Sequence, residues 1–113
     1  MPHRYLESRQ GKPGDTKILA LDPLLVAGVQ VTSLQPGETI TVTVTDPAGN
    51  VVLPATQAVW DIIHWAENNQ PIFVWMVPFT LPTVTTATRL TITWNVNLQA
   101  GDKTIVDALE VIP

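Results

Sequence analysis

Two stretches of this chain alternate apolar and polar residues without a break, and that alternation limits the fold more than any other feature. Residues 39–45 read Thr-Ile-Thr-Val-Thr-Val-Thr, and residues 89–98 repeat the pattern with larger side chains. Successive side chains of a strand point to opposite faces, so both stretches predict β-strands with one buried face. The predicted core residues are Ile40, Val42, Val44, Leu90, Ile92, Trp94 and Val96.

Turn signals separate further strand candidates along the chain. Gln35-Pro36-Gly37-Glu38 precedes the first alternating stretch, Asp46-Pro47-Ala48-Gly49-Asn50 follows it, and Ala100-Gly101-Asp102 follows the second. Proline presets φ and glycine supplies positive φ at such turns. Fifteen threonines, which are β-branched and suit a pleated surface, add to the pattern. We predict an all-β fold, an antiparallel β-sandwich of about seven strands.

The middle of the chain, residues 55–70, fits two patterns. Alternation puts Trp60 and Ile62 on one face of a strand, whereas helical spacing groups Val59, Ile62 and Ile63 into a stripe. Its β-branched and aromatic residues favour a strand, with residues 72–77 as the hairpin partner. From the sequence alone, a helix over residues 55–70 stays an alternative.

Charge divides the chain into two parts. Residues 1–17 contain four basic and two acidic residues, two prolines and no sustained period, whereas the remainder contains two basic and eight acidic residues. We therefore expect an extended N-terminal arm over residues 1–17 and a sandwich over residues 18–113. The acidic body would repel nucleic acid, and the longest apolar stretch, residues 72–79, is too short to span a bilayer. Neither nucleic acid nor a membrane is an expected partner.

No combination of residues in the sequence suggests catalysis. The chain has no cysteine and two histidines, and it contains neither a Gly-x-Ser-x-Gly elbow nor a His-x-x-x-His pair. Asp61 and Glu67 are the one pair of acids that could converge for glycosidic chemistry. A position at the solvated end of a hairpin explains these two residues better than a catalytic role does. Asp46, Asn50 and Asp102 have the oxygen atoms that Ca²⁺ uses, but these residue types also suit tight turns. We expect no enzyme activity, no metal and no cofactor.

Four tryptophans are the most informative side chains for binding. Trp94 has the parity of the predicted core, whereas Trp60 and Trp65 differ in parity, so at least one tryptophan should lie near the surface. Exposed tryptophan is typical of interfaces and of sugar-stacking platforms. The arm adds an apolar pair and two guanidinium groups. The candidate partner-binding residues are Arg4, Tyr5, Leu6, Arg9, Trp60, Trp65 and Trp75.

Two segments resemble a known family. LQPGETITVTVTDPAGNVV (residues 34–52) is similar to the second and third strands of bacterial and phage immunoglobulin-like domains. RLTITWNVNLQAGDKTIVDALEVIP (residues 89–113) is similar to their closing hairpin. The antibody-type Cys…Trp…Cys pattern is absent. The resemblance implies an immunoglobulin-like sandwich of the kind found in decoration, neck and tail proteins of tailed-phage virions and in bacterial surface proteins.

The expected function is therefore a non-enzymatic structural or assembly protein, an accessory virion component made in the host cytoplasm. Its expected partner is the major capsid protein or another virion structural protein, with a homo-oligomer as a further option. The alternative is an extracellular carbohydrate-binding or adhesion module that uses exposed tryptophans. The first residues, Met-Pro-His-Arg, contain no apolar run of the kind found in a secretory signal, which favours the first expectation.

Overall fold

The structure is a computed structural model that describes residues 10–64 and 70–113. Within these residues every regular element is a β-strand, and no helix is present. The ten described strands are β1 (Gln10–Gly11), β2 (Thr16–Ala20), β3 (Leu25–Val26), β4 (Val29–Gln30), β5 (Thr39–Thr45), β6 (Val51–Gln57), β7 (Val59–His64), β8 (Pro71–Thr80), β9 (Thr88–Leu98) and β10 (Gly101–Val111). The all-β prediction is confirmed.

The strands form two main sheets and one small hairpin. The larger sheet has the order β1-β10-β9-β5-β6, the smaller one has the order β2-β8-β7, and β3 pairs only with β4. All pairs are antiparallel except that of β1 with β10, which is parallel. One apolar cluster draws buried side chains from both main sheets, which is compatible with a β-sandwich.

The core contains every side chain that alternation assigns to it. Ile40, Val42 and Val44 are fully buried on β5, and Leu90, Ile92, Trp94 and Val96 are at most 3% exposed on β9. The register pairs Ile40 with Val96, Val42 with Trp94 and Val44 with Ile92 across the two strands. The smaller sheet covers them with Leu19, Trp75, Val77 and Phe79.

Residues 51–57 form a longer strand than the sequence suggests, because β6 continues through Pro54. Val42 pairs with Thr56 and Val44 with Leu53, so β6 uses one extra residue at Pro54 and Ala55 and forms a bulge. Proline cannot donate to a ladder and is found on edge strands and at bulges. Since β6 is the edge of its sheet, Pro54 fits there.

The ambiguous middle segment is a strand where the structure describes it. Residues 59–64 form β7, which pairs with β8 from Val59↔Met76 to His64↔Pro71. The strand interpretation and the predicted hairpin partner are confirmed for these residues, and the helical alternative is wrong for them. Residues 65–69 lie outside the described residues.

The predicted boundary of the arm needs correction, because Gln10 and Gly11, and again Thr16 and Lys17, lie in strands. Gln10 and Gly11 pair with the end of β10, and β2 already begins at Thr16. The intervening turn is tied to the body by two backbone hydrogen bonds, from Gly14 N to Leu81 O (3.0 Å) and from Leu81 N to Asp15 O (2.8 Å). The sandwich therefore includes residues from Gln10 onward, and residues 1–9 lie outside the described residues.

The core assignment predicts the effect of two truncations. Val42→Ala and Ile92→Ala should each lower the free energy of unfolding by about 1–4 kcal/mol, because each leaves a cavity between the sheets. Thr43→Ala, on the opposite face of β5, serves as the control and should change stability much less. Urea unfolding followed by circular dichroism measures all three variants. Wild-type stability of both core variants would contradict the assignment.

Candidate interaction surfaces

Trp75, predicted as a partner-binding residue, is part of the core. It is 7% exposed, and its indole Nε1 donates a hydrogen bond to Val31 O at 2.9 Å. The bond satisfies the one polar atom of the side chain, as a buried indole requires. Trp75 therefore lies inside the fold and holds the segment that precedes β5, and it is not available to a partner.

Trp60 lies directly opposite Trp75 on the same face of the smaller sheet, on the edge strand β7. Its ring stacks on Phe73 with centroids 5.8 Å apart and an interplanar angle of 15°, and it meets Trp75 at 5.4 Å and 55°. Trp60 is half-buried, whereas Phe73 is 52% exposed and Ile62, opposite Phe73, is 43% exposed. The apolar inner face of this sheet thus continues into solvent at Trp60, Ile62 and Phe73.

The strongest exposure of apolar side chains is on the β3–β4 hairpin. Leu25 is 63% exposed and Val29 is 70% exposed, although they lie on opposite faces of the hairpin. The turn residues Ala27 and Gly28 have φ values of 51° and 80°. Two-residue hairpin turns of this type need positive φ at both positions, which costs an alanine about 1 kcal/mol.

The base of this hairpin is anchored firmly, in contrast to its tip. Val31 N donates to Leu24 O at 2.8 Å, Leu24 is buried, and Val31 O accepts the indole bond of Trp75. Between the hairpin and the β9–β10 turn lies a groove of about 360 Å³. Its walls combine apolar side chains, among them Pro23, Leu24, Leu25, Val96 and Leu98, with the charged residues Asp102 and Lys103.

Glu38 fixes the β9–β10 turn, which forms the far wall of this groove. One carboxylate oxygen accepts a hydrogen bond from Gln35 N at 2.7 Å, and the other accepts one from Gln99 N at 2.8 Å. The bond from Gln35 and then that from Gln99 favour the charged form and lower the pKa of Glu38 below 4.5. The carboxylate thereby joins the turn before β5 to the turn between β9 and β10.

In the turn that contains Asp46 and Asn50, the carboxylate oxygens that could bind Ca²⁺ accept local hydrogen bonds instead. Asp46 Oδ1 accepts hydrogen bonds from Ala48 N and Asn50 N, and its Oδ2 accepts one from Asn50 Nδ2. Among the described residues, no group of three or more His, Cys, Asp or Glu side chains is arranged to hold a metal ion. Asp61, on β7, accepts a bond from Ile62 N and is exposed.

The described part of the chain contains no helix with the length and apolarity needed to cross a lipid bilayer. Of the predicted partner-binding residues, Arg4, Tyr5, Leu6, Arg9 and Trp65 lie outside the described residues, so their role stays a prediction. The β3–β4 hairpin was not among the predicted sites. Its signal in the sequence is Ala27-Gly28 between two valines, a short turn inside an otherwise apolar run.

The two bonds to Glu38 predict a pH effect with a definite sign. A folded pKa below the unfolded value means that the carboxylate stabilises the fold fully above about pH 4.5 and loses this contribution as pH falls through the folded pKa. Glu38→Gln should therefore lower stability at neutral pH, and the difference from wild type should shrink in acid. Thermal unfolding between pH 3 and 7 measures it, with Glu110→Gln as control. A difference that stays constant over this range would contradict the assignment.

Comparisons with protein-family models, with curated proteins and with solved structures found no match for this chain.

Proposed function

We propose that this chain is an immunoglobulin-like domain that acts as a non-enzymatic assembly protein, an accessory component of a virion that binds neighbouring structural subunits. The single observation that carries the proposal is the β3–β4 hairpin, which exposes apolar side chains on both faces and pairs with neither main sheet. The proposed partner is the major capsid protein or another virion structural protein.

The strand order supports the immunoglobulin-like part of the proposal. In such domains strands B, E and D lie in one sheet and strands C, F and G in the other, with C′ added beside C in the variable type. The orders β2-β8-β7 and β10-β9-β5-β6 follow this scheme when the seven longer strands are lettered B to G in chain order, with β6 as C′. The departures are the missing cysteines and the lack of a tryptophan on β5.

The hairpin supports the proposed binding role, because its own stability does not explain why the fold retains it. A two-stranded hairpin is marginal in water, and this one has four paired residues and an alanine at positive φ. Leu25 and Val29 would each gain about 1.5–3 kcal/mol if a partner buried them fully. Because Leu24 and Val31 hold its base, the hairpin projects from a fixed position on the body, which limits the entropy lost on binding.

The test uses particles produced by cells in which this chain is made. Particles are purified by density-gradient centrifugation, and mass spectrometry measures how much of the full-length chain they contain. The proposal expects the chain in a fixed ratio to a capsid or tail protein. Absence of the chain from such particles would overturn the proposal.

A matched pair of variants locates the contact. Val29→Asp should reduce the amount of chain in the particles roughly tenfold or more, because burying an unpaired carboxylate costs more than 1.4 kcal/mol. Val51→Asp makes the same change at a similarly exposed valine on the edge strand β6 and should leave incorporation unchanged. Equal incorporation of both variants would rule out the hairpin as the contact.

The second candidate, a carbohydrate-binding module, is favoured by the exposed aromatic surface at Trp60 and Phe73. Its ring faces are less available than the sequence suggests, because Phe73 covers Trp60 and Trp75 is buried. A glycan array separates the two functions. Binding that Trp60→Ala abolishes and Val29→Asp preserves would favour the carbohydrate function over the assembly function.

A further inference from the structure

β7 is the edge strand of the smaller sheet, and its edge is more regular than that of β6. β6 has a bulge at Pro54, whereas β7 pairs with β8 in an unbroken register from Val59 to His64. On the side away from β8, no described strand is bonded to β7. A regular edge strand is a template for pairing with another chain, and natural proteins protect such edges with charges, prolines or bulges.

The backbone groups at the free edge of β7 belong to its even-numbered residues. Leu21 N donates to Trp75 O at 3.0 Å, so the backbone groups of Trp75 point toward β2 and those of its neighbour Val74 point toward β7. Val74 pairs with Asp61, so the backbone groups of Asp61 bond within the sheet. The backbone groups of the residues on either side of Asp61 therefore point away from β8.

The composition of β7 favours pairing at this edge. Val59 and Ile62 lie on opposite faces of the strand, and both are exposed. Between Asp46 and Glu67, Asp61 is the only Asp, Glu, Lys or Arg in the sequence. Strands that are rich in β-branched and aromatic residues and poor in charge are the ones most prone to pair with other chains. Asp61 is therefore the residue of β7 that can protect it.

The carboxylate of Asp61 lies where an incoming strand would have to bond. Its Oδ1 accepts a hydrogen bond from Ile62 N at 2.7 Å, and this amide is one of those at the free edge. The amide is thus already occupied, and the bond holds the negative charge beside it. Asp61 is exposed to solvent, so a strand that paired here would remove water from a charged group. Removing water from an unpaired carboxylate is costly.

We propose that Asp61 guards the edge of β7 and prevents this edge from pairing with the same edge of a second copy. The hydrogen bond from Ile62 N positions the carboxylate, and its charge makes the pairing unfavourable. In a symmetric pairing each copy would contribute one such carboxylate, so the cost would arise twice. This role is independent of the β3–β4 hairpin and of the proposed function.

Removing the charge tests the proposal on the full-length chain. By sedimentation equilibrium at increasing concentration, the weight-average mass of Asp61→Val should rise above that of wild type at the same concentration. Asp22→Val makes the same change at an exposed aspartate outside the strands and should keep the wild-type mass. Asp61→Lys should also keep it, because a lysine protects an edge strand as well. A wild-type mass for Asp61→Val, or a raised mass for Asp61→Lys, would overturn the proposal.

A second substitution in the Asp61→Val chain locates the pairing at β7. Ile62→Pro removes the outward amide, and it costs no ladder bond within the sheet because that amide does not bond to β8. It should therefore return the mass of the Asp61→Val chain to that of wild type. Ile62→Ala, the matched control, shortens the same side chain but keeps the amide, so the raised mass should persist. Equal masses for the two double variants would overturn the proposal.

Discussion

The rest of the structure depends on the direct opposition of apolar side chains between β5 and β9. Ile40 faces Val96, Val42 faces Trp94 and Val44 faces Ile92, and all six side chains are at most 3% exposed. A slip of one residue in either strand would move its whole apolar set to the solvent face. The threonines between them would then enter the core, where their hydroxyls would lack partners. This register fixes the centre of the larger sheet, on which β10, β6 and the smaller sheet are arranged.

The surface is incomplete at one edge of the smaller sheet. There its apolar inner face, at Trp60 and Phe73, extends beyond the buried core. The link from β2 to β5 crosses between the sheets and forms the β3–β4 hairpin, anchored by the indole of Trp75. Residues that bind other molecules are concentrated on such links and edges, because a rigid sandwich positions them without depending on them for its core.

The sequence predicted those parts of the fold in which the residue pattern of a single strand shows which of its side chains are buried. Alternation identified all seven predicted core residues, and β-branched residues identified β7 as a strand. It failed for Trp75, because both faces of β8 are apolar and both Val74 and Trp75 are buried, so parity gives no orientation. The sequence also failed to predict a strand at Gln10 and Gly11, because a polar residue followed by glycine does not favour a strand. Their strand exists through pairing with residues one hundred positions later, which no local pattern encodes.

Hydrogen exchange tests the central claim most directly, namely the proposal that the core is complete in the single chain and that a partner covers the β3–β4 hairpin. Exchange is followed by mass spectrometry on the isolated chain and on the chain bound in the proposed particle. Amides of β5 and β9 should be protected in both states, because their ladder is buried. Amides of residues 25–30 should exchange quickly in the isolated chain and be protected in the particle. Equal exchange of residues 25–30 in both states would contradict the account.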